Sequence, residues 1–419
     1  MLVVCVPLAY FRVGWMAGRR GTVWAEDGSI FLQQALTQGR LHSLLQPYAG
    51  YWHLVPRVLA AVVVQFPLSW HGVGMDAAAS AVQASVALTA YVATRGYLAA
   101  RSARAVLAVV VAALPVAPEV SDSVANLQWF LLFGAAIALL WTPRTRLGWA
   151  LICIVVIAAC GSGAFGLIVF GLVAVRAAIQ FRRETLIVLG LATLTSVVQL
   201  AVILRAPPRV DGQKLHTEIH LQAMSSGYLR RVVGDGLLGW KHISRPDVHG
   251  MLVPALLGGA LLIVAAACLA RRRSRDELVP VAVLYLMSIC FYAPIAVLSG
   301  VSSDYSDRYF VPGTLFFCAA SVAMLTQALA VVRRARDVWT LGAGALSLGV
   351  LCVLAIGTVT SYHTGRANGR AADPGWSRGV GIARAQCQRK PDRAVVDIRI
   401  SPLRPPWFVK LPCATIRTR

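Results

Sequence analysis

The sequence predicts an all-α polytopic membrane protein, and three observations predict it. Of its 419 residues 57% are hydrophobic and only 14% charged, against about 45–50% and ~25% in soluble domains. Apolar runs of bilayer-spanning length recur from end to end. The arginines gather in alternate connections between those runs, which is how membrane proteins encode orientation. A soluble globular chain and a disordered one are both excluded. The net charge of +22 would point to nucleic acid in a soluble protein. Here the basic residues follow the membrane plan, so no nucleic-acid partner is expected. Of the 40 basic residues only Lys214, Lys241, Lys390 and Lys410 are lysines. That skew toward arginine, with abundant Ala, Val and Gly, suggests a high-GC bacterial genome, and hence the bacterial plasma membrane.

About 11 spans are expected, at 1–17, 76–97, 104–118, 126–142, 147–160, 163–180, 185–205, 251–270, 279–299, 309–332 and 339–361. The first run has no small-residue cleavage site, so it reads as a retained helix and not a cleaved signal. It also lacks a basic flank, which suggests a start upstream of Met1. Thirteen arginines lie in one set of short loops: Arg101 and Arg104; Arg144 and Arg146; Arg182 and Arg183; Arg271, Arg272, Arg273 and Arg275; Arg333, Arg334 and Arg336. The alternate short loops hold one, Arg308. The first set is read as cytoplasmic, which places the N-terminus inside and the C-terminus outside. This requires that His53–Leu68 does not cross the bilayer. It is short and carries Pro56, Arg57, Gln65 and Pro67, so it reads as a helix in the outer interface. Ser29–Leu36 reads as a second. The domain 1–361 therefore has a partly embedded outer loop at 18–75 and a long polar one at 206–250, followed by an extracytoplasmic appendage, 362–419.

Of 18 acidic residues 14 fall outside, and none sits in the middle of a span. A transmembrane proton or ion relay would show intramembrane carboxylates. The distribution favours chemistry at the outer surface, and the outer loops hold the candidates. Trp24-Ala25-Glu26-Asp27-Gly28 places two adjacent acids at the membrane edge, where a carboxylate needs a metal, an arginine or a proton. Each acid raises the other's pKa, which suits a base; a helix cap by Asp27 is the competing reading. Tyr51 and His53 lie in an aromatic stretch that suits either an interfacial belt or sugar stacking. Glu119 and Asp122, with Asn126, Gln128 and Trp129, form an outer hairpin that is either polar site or helix cap. Arg308 and Tyr309 open a late span, where Arg308 suits bidentate phosphate binding or snorkelling. In 206–250, Lys214, His216, His220, Arg230, Arg231, Lys241, His242 and His249 suit a loop that clamps an anionic lipid-linked substrate, or a plain solvated loop.

Cys5, Cys153, Cys160, Cys268, Cys290, Cys318 and Cys352 lie in apolar runs as small hydrophobes. Cys387 and Cys413 alone fall in the polar tail, and on an oxidising face the expected pairing is a disulfide. Ala394–Ile400 and Trp407–Leu411 alternate like strands. No catalytic triad, P-loop, dinucleotide fingerprint or repeat is found.

A first span, the Glu26-Asp27 pair in a large outer loop with interfacial helices, the Glu119/Asp122 hairpin and Arg308-Tyr309 before a late span together resemble the GT-C class of membrane glycosyltransferases. That class includes actinobacterial arabinofuranosyl- and mannosyltransferases, protein O-mannosyltransferases and aminoarabinose transferases. The resemblance implies sugar transfer from a polyprenyl-phosphate donor to an envelope glycan, lipid or protein acceptor on the outer face. It implies Asp27 or Glu26 as base, acting directly or through a divalent cation, Mg or Mn, with Asp27 and Asp122 as candidate ligands. It implies Arg308 as the partner of the leaving phosphate, and no nucleotide cofactor. A transporter or lipid flippase of envelope precursors is the first alternative. A non-catalytic GT-C-like scaffold is the second.

Overall fold

The computed structural model describes residues 1–12, 21–114, 118–206, 221–239, 248–271, 278–299, 307–332, 338–362, 370, 375–403 and 406–419. Helices occur at each expected span. Five of them are long and apolar enough to cross a membrane: Leu68–Gly96, Arg183–Arg205, Val279–Val297, Arg308–Ala330 and Leu341–Thr360. Others are shorter than expected. Arg101–Ala113 and Leu127–Leu139 have 13 residues each, roughly 20 Å of helix against a ~30 Å hydrocarbon core. Local sequence explains some of these ends. Pro143 follows Leu127–Leu139, and Gly161-Ser162-Gly163 closes Arg146–Gly161. The first helix spans Leu2–Tyr10, and 13–20 lies outside the described residues.

The chain divides into two compact units. One comprises 1–5, 86–117 and 211–362. Its axis is the helix Val311–Val332, packed by Arg101–Ala113, Val248–Arg271, Val279–Ser299 and Val338–Thr360. The expected polar loop 206–250 is corrected here: Leu221–Gly227, Tyr228–Gly234 and Asp235–Leu238 are consecutive helical turns. Val232, Val233 and Leu237 are buried, and helical spacing puts these apolar residues on an inward face. Tyr228 Oη meets Ser288 Oγ at 2.9 Å, and Ser288 Oγ donates to Gly313 O at 2.7 Å. Lys214, His216, His220, Lys241 and His242 lie outside the described residues.

The other unit comprises 6–85, 118–210 and 363–419. Helices Leu127–Leu139, Arg146–Gly161, Gly166–Ile179 and Arg183–Arg205 pack on one another, and every residue of Leu127–Leu139 is buried. The loop after the first helix holds a π-helical turn, Asp27–Leu32, running into Gln33–Thr37, then Arg40–Leu44, a short hairpin and Leu54–Val63. The tail folds as a helix, Trp376–Cys387, an antiparallel pair Val395–Ile400 and Trp407–Pro412, and a final helix, Cys413–Thr418. Cys387 is bonded to Cys413. The strand alternation buries Val396, Ile398, Ile400, Val409 and Leu411.

The segment beyond the boundary expected at 361 packs on the first loop. The tail belongs to the same compact unit as the first loop. Trp376 donates its backbone N–H to Gly21 O (2.9 Å) and its indole N–H to Leu68 O (2.6 Å). Leu68 N–H donates to the carbonyl of Arg419 at 3.3 Å. The loop and the tail contribute buried residues to one compact unit.

Candidate active site

The site is built on the segment Val23–Gly28. Trp24 forms a parallel bridge with Ser401. Ala25 N–H donates to Ser401 O at 2.5 Å, and Ser401 N–H donates to Val23 O at 3.0 Å. Two residues on, the π-helical turn begins at Asp27. Gly28 sits there at a close approach of three side chains. A Cβ would come within 2.6 Å of Ile400, 2.7 Å of Val23 and 2.9 Å of Val409.

Asp27 is 1% exposed. Its Oδ1 accepts from the Ala125 N–H at 2.8 Å and from Ser123 Oγ at 3.4 Å, and its Oδ2 accepts from the Val124 N–H at 3.1 Å. It thus ties the first loop to the hairpin that opens Leu127–Leu139. Burial pushes its pKa up to about 7, against the pull of the Ala125 N–H and of Arg370. Glu26 beside it is half-buried.

Asp122, in the hairpin, is buried with φ +50°, a left-handed conformation that Asp tolerates better than most residues. Its Oδ1 accepts from Ser80 Oγ at 2.8 Å. Burial raises its pKa to about 7 also, opposed first by Arg370 and further by Arg12. Asp76 accepts from the Gly21 N–H at 2.7 Å and pairs with Arg370 at 3.3 Å. Arg370 also donates through Nη2 to the carbonyl of Asp122 at 3.0 Å, and its guanidinium lies over the Trp24 ring at 5.2 Å. Three buried aspartates and a fully buried arginine therefore converge from four stretches of chain.

Sequence reasoning found Asp27 and Asp122 but missed Asp76 and Arg370. Asp76 lies in the second turn of the helix His71–Ala93 and by sequence resembles any interfacial acid. Arg370 is one of many arginines in the tail, and nothing local marks it. The remaining expected residues divide. Glu119 is half-buried in the turn Pro118–Val120. Asn126 donates to Ser123 Oγ at 3.1 Å and to the Glu119 carbonyl at 3.4 Å. Gln128 and Trp129 are buried inside Leu127–Leu139, where the expectation had them at the outer surface. His53 is corrected in the same way. It is buried, 4.4 Å from the Tyr51 ring and 5.4 Å from the Phe31 ring. Burial, then Arg57, lowers its pKa to about 3, so it is a neutral core residue of the loop. Tyr51 is half-buried. Arg308 and Tyr309 belong to the other unit, half-buried in the turn Asp307–Phe310, with the guanidinium 5.3 Å from the Tyr309 ring.

A divalent cation held by Asp27 and Asp122 would share oxygens that already accept hydrogen bonds. Both Asp27 oxygens already accept from N–H groups, and one Asp122 oxygen accepts from Ser80. Among the described residues no three His, Cys, Asp or Glu side chains are grouped to hold a metal ion.

No family model matches the sequence, and no curated protein matches it. The chain is similar to two solved structures of ArnT from Cupriavidus metallidurans. With the structure bound to undecaprenyl phosphate it shares 14% identity and a TM-score of 0.40, covering 93% of this chain and 80% of that one. With the apo structure the identity is 14% and the TM-score 0.34, over 93% and 80% of the two chains.

Proposed function

We propose that the protein is a GT-C-like membrane glycosyltransferase that moves a sugar from a polyprenyl-phosphate donor to an acceptor hydroxyl at the outer face of the bacterial plasma membrane. The acceptor is an envelope glycan, lipid or protein. The carrying observation is the Glu26–Asp27 pair: one carboxylate locked in the interior and its neighbour half-buried at the same turn. Asp27 accepts from two consecutive N–H groups, so its oxygens are committed to holding the turn. Glu26 is the carboxylate left to take the acceptor's proton, and Asp27 fixes where Glu26 stands. In this reading the lipid tail lies among the spans. The reading routes no step through a metal.

The hydrogen bonds of Asp27 also favour a second reading, in which the pair only anchors the loop. Two substitutions separate the readings. Asn at 27 would turn an amide N–H₂ toward one of two N–H donors, so Asp27→Asn should loosen the turn and lower transfer, while burial, which favours a neutral side chain there, keeps folded yield near wild type. Glu26→Gln touches no such bond. It should express normally and cut transfer from polyprenyl-phosphate sugars at least ~100-fold, the scale of general-base loss. Wild-type transfer by Glu26→Gln would leave only the anchor.

A further inference from the structure

We infer that the C-terminal segment is an integral part of the acidic site, and that Arg370 is the positioning residue through which it holds the Glu26–Asp27 turn. The inference rests on the proposed reading of that turn as the place of transfer. The tail grips the turn from several sides. Ser401 makes two backbone hydrogen bonds to the residues just before Glu26. Ile400 and Val409, one from each strand, close around Gly28 just after Asp27. Lys410 donates its backbone N–H to Gln33 Oε1 at 2.7 Å, one turn further along.

Arg370 supplies what these contacts lack, a link to the hairpin that receives Asp27. One Nη meets the Asp76 carboxylate at 3.3 Å, and the other meets the Asp122 carbonyl at 3.0 Å. Its plane covers Trp24 at 5.2 Å. Asp76 is itself fixed to the Gly21 backbone. One guanidinium therefore registers three pieces: the segment entering the turn at Trp24, the helix His71–Ala93 that carries Asp76, and the hairpin. A fully buried cation is costly to place, and a separately folding appendage would have no reason to bury one among another segment's acids. The fork matters as much as the charge, because two nitrogens reach two different acceptors. Lysine keeps the charge and can reach only one.

The test uses the full chain in lipid nanodiscs, with Cys290 and Cys352 changed to Ser and a reporter Glu26→Cys, alkylated by a membrane-impermeant maleimide. Arg370→Lys retains the compensating charge and should keep the wild-type melting temperature. Alkylation at 26 should nonetheless quicken at least ~10-fold, as expected when local opening becomes easier. In chains with Glu26 intact, a panel of polyprenyl-phosphate hexoses and pentoses gives the second readout. Arg370→Lys should lower kcat ~100-fold with KM unchanged, the effect of about 1 Å of misplacement. Arg370→Gln should also lose folded yield, and Asp76→Asn added to it should restore part of that yield. Equal alkylation rates in wild type and Arg370→Lys would overturn the inference, as would a rise in KM at constant kcat. If the wild type transfers none of these sugars, the transferase reading fails, while the alkylation rates still decide the role of Arg370.

Discussion

Asp27 needs its charge for the geometry it adopts. Ionised, both of its oxygens accept from the N–H groups of 124 and 125; protonated, one oxygen becomes a donor facing a donor. Its pKa stands near 7 because burial outweighs those bonds, and Asp122 is raised to about 7 for the same reason. Two consequences have opposite signs. Between the ordinary carboxylate value of 3.8 and about 7 the folded chain holds protons that the unfolded chain has released. These two groups therefore stabilise the fold fully below 3.8, and that contribution is lost as pH rises through about 7. The proposed transfer should run the other way, because the turn is held by the ionised form. Its acid limb should have a midpoint near 7, with roughly a tenth of full activity one unit lower, as a single titration requires. Thermal stability should not fall over the same interval on account of these groups. A transfer profile flat from pH 8 to 5 would contradict this assignment.

Gly28 carries an argument about elements, since it sits where the turn meets both tail strands. Gly28→Ala places a methyl against Ile400, Val23 and Val409 at distances that force movement. A loss of about 1–3 kcal/mol is expected from such overpacking, readable as a lower melting temperature, with Gly381→Ala as the control because a Cβ there meets nothing within 4 Å. The elements themselves were legible. The alternation in Val395–Ile400 gave a strand, and the run beginning near Ser29 gave a helix, because side-chain periodicity is local. Pairing was less so. Nothing in the period of the tail says that its strands lie on residues 23–28, or that Arg370 meets Asp76, 294 positions away. Those contacts depend on which apolar faces remain uncovered after every element forms. His53 packs among Phe31, Tyr48 and Tyr51 of its own loop and Trp129 packs against Phe165, so both lie in the interior and not at the expected surface. An aromatic stretch reads alike whether it faces lipid headgroups or another segment.

At the scale of the whole molecule, orientation decides whether the acidic turn can meet an externally presented acceptor. Thirteen arginines in one set of short connections against one in the other is a strong bias, because each Arg that must be translocated adds cost and the short loops weigh most. The helix Leu54–Val63 is ten residues long, about 15 Å, half of what a crossing needs. Arg57 within it is buried and donates to Gln34 Oε1, Ser43 O and Pro47 O, partners that lie in its own loop. Both facts support a helix that stays on one side, and the arginine count depends on that. Single cysteines placed at 222, in the 206–250 segment, and at 388, in the tail, should react with an impermeant thiol reagent in intact cells. Cysteines at 274 and 335 should react only after permeabilisation. The tail's bond between Cys387 and Cys413 gives an independent check. On an oxidising face it should survive in untreated cells and appear as one linked peptide in non-reducing mass mapping. Labelling of 274 from outside, together with two free thiols in the tail, would invert the orientation and place the acidic turn on the cytoplasmic side.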